Sequence, residues 1–184
     1  MAFVTSNDGK FREISQQMKE HGYEIEHIKT TYPEIQTDTL EATIVPGLIW
    51  LMERYNRPLF IDDSGLFIDA LKGFPGVFSS YVFKTIGCDG ILRLMEGVKD
   101  RSARFECCIG FMAPGKEPHM SKGLAKGSIS EKKAGTGGFG YDPVFVPEGD
   151  SRTYAEIEVS EKNRISHRGR AIEQFLKDLP RLMP

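Results

Sequence analysis

Little in this chain marks it for the larger chemical classes. Three cysteines, Cys88 and the adjacent pair Cys107 and Cys108, make neither a disulfide framework nor a spaced thiolate set for zinc. The expected compartment is the cytoplasm, and the expected metal, if there is one, is a hard cation bound by oxygen. No apolar run approaches the roughly 20 residues that cross a bilayer. Met1 leads directly into the strand-like Ala2-Phe3-Val4-Thr5, so neither a membrane partner nor a signal peptide is expected. Neither sign of charge dominates: 24 Lys and Arg against 26 Asp and Glu give a formal net charge of −2. That excludes the electrostatic footprint of a nucleic-acid polymer as partner, though a small anion can still bind through local positive charge. There is no internal repeat, low-complexity linker or Walker A motif. The 184 residues therefore read as one domain, 1–184, long enough for a substantial core.

What is present centres on Leu59-Phe60-Ile61-Asp62-Asp63-Ser64-Gly65-Leu66. An apolar run stops at two carboxylates, a hydroxyl and a glycine. It reads as a buried strand that ends at Asp62 and opens into a loop. Strand ends in open α/β sheets are where ligands bind. Neighbours on a strand point to opposite faces, so the two acids should have different tasks.

Three further stretches carry chemistry. Ala2–Thr5 reads as a strand, Ser6-Asn7-Asp8-Gly9-Lys10 as a polar loop, and Phe11, Ile14 and Met18 as one face of a helix capped by Asn7 or Asp8. Strand, loop, helix presents backbone N–H groups to an anion, with Lys10 at the mouth. Gly135-Thr136-Gly137-Gly138-Phe139-Gly140-Tyr141-Asp142-Pro143 allows close backbone approach, with an aromatic to stack on a flat ring and an acid to read its edge. Ser166 reads as the N-cap of a last helix with Ile172, Phe175, Leu176 and Leu179 inward. His167 and Arg168 then oppose the helix dipole in its first turn, which suits an anion or acceptor brought there.

The other segments supply scaffold. Tyr23–Ile28 alternates as a strand. Pro33 holds Glu34 on an ordered bend, as a metal ligand or a surface acid. Leu40, Ile44, Leu48, Leu51 and Tyr55 mark a helix in which Pro46-Gly47 predicts a kink or restart, with Trp50 a core residue. Gly73–Tyr81 reads as an apolar loop that packs, lines a pocket or forms an interface. Asp89–Glu96 reads as a short helix, and Ala103–Phe111 as a half-buried strand whose antiparallel partner lies within Met120–Ser130. Cys107 and Cys108 point to opposite faces and read as structural.

As a set, these motifs resemble the inosine triphosphate pyrophosphatase family. The matching residues are Thr5-Ser6-Asn7 with Lys10, Pro33-Glu34 with Gln36, Asp62-Asp63-Ser64-Gly65-Leu66, Gly73–Gly76 with Tyr81, Phe139-Gly140-Tyr141-Asp142-Pro143, and Lys162-Asn163 with Ser166-His167-Arg168. The resemblance implies an α/β fold, an elongated twisted mixed sheet flanked by helices, with an active-site cleft between two lobes, usually in a homodimer. It implies Mg²⁺-dependent hydrolysis of ITP, dITP and XTP to the monophosphate and pyrophosphate, which clears deaminated purines from the nucleotide pool. Carried over by position, Thr5 to Lys10 (Thr5, Ser6, Asn7, Asp8, Gly9 and Lys10) form the triphosphate cradle. Glu34 and Asp63 hold the metal, Asp63 is the catalytic acid and Asp62 its helper. Ser64 touches the substrate, Phe139 stacks on the base, and Gly140, Tyr141 and Asp142 form the adjoining wall. Lys162, His167 and Arg168 reach the base or the phosphates.

Two departures stand out. Many members carry a phosphate-facing lysine on the helix between the Glu34 and Asp63 motifs, where this chain has Val45-Pro46-Gly47-Leu48. Tyr141 stands where some members have tryptophan. The alternatives are a Maf-like pyrophosphatase acting on other modified nucleotides, and a nucleotide sensor that binds without turnover.

Overall fold

The computed structural model describes residues 1–35 and 37–183. Gln36, part of the Pro33-Glu34 motif, lies outside the described residues. The chain runs β1 (Ala2–Val4), α1 (Asp8–Glu20), β2 (Glu26–Ile28), α2 (Leu40–Tyr55), β3 (Leu59–Ile68), β4 (Pro75–Gly76), α3 (Ser79–Thr85), α4 (Gly87–Leu94), β5 (Ser102–Met112), β6 (His119–Ile129), β7 (Phe145–Pro147), α5 (Val159–Ile165) and α6 (His167–Leu182).

Three consecutive apolar residues in β1 need cover on both faces, and they have it. Phe3 packs with Ile14 and Met18 of α1 and Phe175 of α6, while Ala2 and Val4 pack with Ile44, Leu48 and Leu51 of α2. β1 is parallel to β2 on one side and to β3 on the other. The mixed sheet continues antiparallel through β5, β6 and β7 in the order β2-β1-β3-β5-β6-β7, and β4 pairs with β3. A third apolar cluster, with Leu66, Ile68, Phe105, Phe145 and Tyr154, fills the other end under α3 and α4.

β3 does not stop at Asp62, as the apolar run suggested. It continues to Ile68, because β5 pairs with every residue from Leu59 (opposite Met112) to Ile68 (opposite Ala103). The ladder satisfies the backbone through the polar stretch, so the acids need no loop. Asp62, Asp63 and Ser64 thus lie mid-strand. They fall between Ile61, which belongs to one core, and Leu66, which belongs to another.

α2 runs unbroken through Pro46-Gly47, so of the kink or restart expected there the restart is absent. Pro costs about 3 and Gly about 1 kcal/mol against Ala in a helix interior. The buried stripe of Leu40, Thr43, Ile44, Gly47, Leu48 and Leu51 offsets that by packing on the sheet. Trp50 is only partly buried, and its ring carries the Arg54 guanidinium 3.5 Å from the centroid. β2 begins at Glu26 rather than Tyr23, α4 lies two residues earlier than expected, and Ser79-Ser80-Tyr81 opens α3 instead of ending a loop. Cys107 and Cys108 do fall on opposite faces, in different cores.

Candidate active site

A cleft of about 810 Å³ opens between the cores, above the polar middle of β3. Its walls include Thr5–Lys10, Glu34, Asp62–Ser64, Phe139–Asp142, His167 and Arg168. Nearly every candidate residue is thereby brought together from five separate stretches. Lys162 is the exception. It is 2% exposed and does not line the cleft.

The loop after β1 is organised by Asn7. Its Oδ1 accepts from the N–H groups of Gly9 (2.9 Å) and Lys10 (3.1 Å), and its own N–H donates to Thr5 Oγ1. The expectation of free N–H groups for an anion is therefore corrected in part: the N-cap has taken two of them. Asp8 is also engaged, accepting twice from Lys29 Nζ at 2.9 Å. Lys10 turns inward, its Nζ 3.1 Å from both the backbone oxygen and Oδ1 of Asp62.

The two acids of β3 differ as alternation requires. Asp62 is buried, and its Oδ2 accepts from Arg168 Nε at 3.2 Å. Burial alone would push its carboxyl up, but Lys10 and Arg168 outweigh burial and hold it below the usual carboxylate range. Asp63 faces the other side, and its Oδ1 accepts from the Ser64 N–H at 2.8 Å. Burial, with the charges of Asp62 and Glu34 adding and Lys10 opposing, pushes it up to about 6. Glu34 is exposed on the same wall. Tyr32 lies beside these carboxylates, and burial together with the three charges raises its phenol well above its usual value.

On the far wall, Arg168 Nη1 donates to Glu13 Oε2 at 2.7 Å and Nη2 to Ser64 Oγ at 2.9 Å. Among the described residues three of its five N–H donors are engaged. Lys162 Nζ donates to Glu13 Oε1 (2.7 Å) and Asp142 Oδ2 (2.5 Å). Asp142 Oδ2 in turn accepts from the Phe139 N–H at 2.8 Å. The network ends on the aromatic, whose ring has Lys162 Nζ and the Arg168 guanidinium each 5.2 Å from its centroid. Gly9 makes room for that ring, since a Cβ there would lie 2.6 Å from Phe139 Cδ1. Lys162 thus stands behind the lining and braces the wall through Glu13 and Asp142. His167 stacks on Phe105 with centroids 4.5 Å apart. Burial, then the charges of Arg168, Lys162 and Lys10, holds its imidazole well below the usual value, so it is neutral. Tyr141 OH donates to Ser79 O at 3.1 Å, which pins the wall and leaves only 4% of the residue exposed.

Glu13 is the residue that motif reading missed. It joins Lys162 to Arg168, and Arg168 and Lys162, against the penalty of burial, hold its carboxyl low. A signal existed: Lys10, Glu13 and Gln17 form a polar row at helical spacing beside the apolar row of Ile14 and Met18.

Comparison with known proteins places the chain in a family. The family model of the Ham1 family matches residues 1–178. A protein of Thermococcus kodakarensis named dITP/XTP pyrophosphatase is 51% identical over 175 residues, 95% of this chain and 94% of that one. A Pyrococcus horikoshii protein of the same name is also 51% identical, with the same coverage. Among solved structures, a HAM1 protein from Coxiella burnetii superposes with a TM-score of 0.83 at 32% identity, covering 98% of this chain and 99% of that one. The Staphylococcus aureus Ham1 protein gives 0.82 at 28% identity, with 98% of each chain covered. Matched along nearly its whole length in both sequence and fold, the chain belongs to the Ham1 family.

Proposed function

We propose that the protein hydrolyses deaminated purine nucleoside triphosphates, dITP, ITP and XTP, to the monophosphate and pyrophosphate. The observation that carries this is the full-length relationship, at about half identity, to proteins named dITP/XTP pyrophosphatase. The cleft supports it, because its volume and mixed lining suit a nucleotide.

In this reading the oxygen of a water bonds to the α-phosphorus as the bond to the bridging oxygen breaks and pyrophosphate leaves. Asp63 takes the proton of that water. A carboxyl at about 6 is mostly ionised at neutral pH, yet accepts a proton more readily than an ordinary one. Asp62, tied to Lys10 and Arg168, positions its neighbour and does not titrate near neutral pH.

Asp63 and Glu34 suit Mg²⁺. They are oxygen donors, and the charge they crowd together is what a cation would relieve. Among the described residues no group of three or more His, Cys, Asp or Glu is assembled for a metal. The remaining ligands would come from the phosphates and water, as is usual for Mg²⁺. Bound there, it would neutralise charge developing on the phosphates.

Base choice falls to the far wall. Inosine and xanthosine carry an acceptor oxygen at position 6, whereas adenosine carries a donor amine. The N–H groups of Arg168 can only donate, so an amine there leaves both sides unpaired. Phe139 stacks on the ring. For assembly, Phe74, Phe78, Tyr81, Phe83 and Ile86 are all exposed around α3, with Tyr81 at 68%. A large exposed apolar group of this kind supports a homodimer through that face.

The deciding experiment is pyrophosphate release with Mg²⁺ from dITP, XTP, GTP, ATP and dTTP, with Asp63→Asn as control. Release from dITP and XTP above the others is expected. Orthophosphate as the product would mean that the wrong bond is cut. Silence, with dITP still raising the melting temperature, would favour a sensor.

A further inference from the structure

Pro46-Gly47, the pair least suited to a helix interior, stands inside α2, and the proposed reaction does not use it. The packing gives Gly47 a reason. A Cβ built there would lie 2.9 Å from Cδ2 and 3.0 Å from Cε2 of Tyr32, so the tyrosine ring rests on bare helix backbone. Ile61 closes the same spot from the sheet, 3.3 Å away. The ring also packs against the core of Ala2, Val4, Ile44 and Leu48. Pro33 follows directly and keeps the Tyr32 backbone extended. The ring therefore has one place to sit.

Its polar end has a different setting. Tyr32 lines the cleft with Glu34, Asp62 and Asp63. Among the described residues, no hydrogen bond engages its hydroxyl. A tyrosine with its ring packed and its hydroxyl in a wet cleft is a fixed donor waiting for an acceptor. Two cations of the cleft are held by carboxylates, Lys10 by Asp62 and Arg168 by Glu13 and Asp62, while Lys84 lines it from α3. On the Asp63 side α2 offers Val45-Pro46-Gly47-Leu48 and no cation. A phosphate placed beside Asp63 would meet carboxylates and, among the hydroxyls that line the cleft, that of Tyr32, whose ring is held against Gly47.

We propose that Tyr32, seated on Gly47, is a further catalytic residue: its phenol O–H donates to an oxygen of the reacting phosphate beside Asp63. The bond strengthens as charge builds on that oxygen, so it acts on turnover rather than on ground-state binding. The inference rests on the pyrophosphatase reading above. Gly47 is a positioning residue that acts through Tyr32.

The test is steady-state kinetics with dITP and Mg²⁺ on wild type, Tyr32→Phe, Gly47→Ala and the double variant, with melting temperatures to check folding. Tyr32→Phe keeps the ring and removes only the hydroxyl. Its kcat should fall about 10- to 100-fold, the worth of one hydrogen bond to a charged group, with KM and melting temperature unchanged. Gly47→Ala should lower kcat in the wild-type background and add less than about twofold to Tyr32→Phe, because the group it displaces is already gone. A fall of less than about fivefold in Tyr32→Phe, a change carried by KM, or independent multiplication of the two effects would overturn the proposal. A wild-type protein that releases no pyrophosphate from dITP or XTP would instead overturn the underlying reading, and the inference with it.

Discussion

Asp62 and Asp63 are adjacent, chemically identical and opposite in behaviour. The difference lies in what each faces across the strand. Asp62 meets Lys10 and Arg168, whereas Asp63 meets burial and further negative charge. A carboxyl raised in the folded state binds a proton more readily there than in the unfolded chain. It therefore penalises folding fully above about 6 and not at all below its ordinary value near 3.8. Asp63→Asn should accordingly lose about 10²- to 10⁴-fold in turnover. The same variant, in a chelator at pH 7.5, should be more stable than wild type, by at most about 3 kcal/mol. The gain should vanish near pH 4. Melting curves at the two pH values check it, and equal stability at pH 7.5 would mean Asp63 is not electrostatically strained. Glu13 makes the opposite case, because it is a buried acid with two cations on it. Glu13→Ala leaves Lys162 and Arg168 without that partner and should cost about 3–5 kcal/mol in chemical denaturation. A loss below about 1 kcal/mol would show that the network relaxes around the gap.

The first turn of α6 carries His167 and Arg168, and it sits where it does because of a residue on another element. A Cβ at Gly123 of β6 would lie 2.1 Å from His167 O and 2.3 Å from Ala171 N. Both are backbone atoms, so Gly123→Ala must lift the helix rather than turn a side chain. The expected result is about 1–3 kcal/mol of lost stability, together with a raised KM for dITP as the Arg168 donors shift. An unchanged KM in a folded variant would show that the far wall tolerates the movement. Sequence reading placed this helix, its Ser166 cap and its inward face correctly. It could not place Gly123 beneath it, because nothing local in β6 announces a helix packed on that glycine. Of the kink or restart expected at Pro46, the restart is absent for a related reason: tertiary packing of the α2 stripe overrides a local preference.

At the scale of the molecule, the buried ion network joins α1, β3, α5, α6 and the Phe139 loop. Glu13 and Asp62 both titrate below their ordinary values in the folded state. Their contribution is therefore complete above the usual carboxylate range and is lost as pH falls through their lowered values. Neutral buried His167 adds in the same direction, since protonation favours the unfolded chain once pH falls below about 6.5. Asp63 works against it, because its penalty lifts over the same range, so stability should change little between about pH 6 and 4 and fall steeply below about pH 4. Denaturant midpoints between pH 3 and pH 8 measure this, and a flat profile would show that the network contributes little. The apolar face around α3 makes its own prediction. Tyr81→Glu should convert a dimer to a monomer in sedimentation velocity. Identical sedimentation of wild type and variant would remove that face as the dimer contact.

Most elements, and the residue types of the candidate site, were legible in the linear pattern alone. Period and capping marked the strands and helices, and residue type marked Lys10, Asp62, Asp63, Phe139 and Arg168. These signals are local, written within a turn or two of chain. Only the tertiary structure decided which groups are spent on one another. Lys162 faces inward because Glu13 and Asp142 meet it there, 149 and 20 residues away along the chain. Asn7 consumes N–H groups that the loop pattern left open, and β5 carries the β3 acids into mid-strand. Tyr32 lies on Gly47 because a helix and a loop meet at that point. Charge pairing and close approach depend on distance in space, and the linear pattern of residues holds no record of that distance.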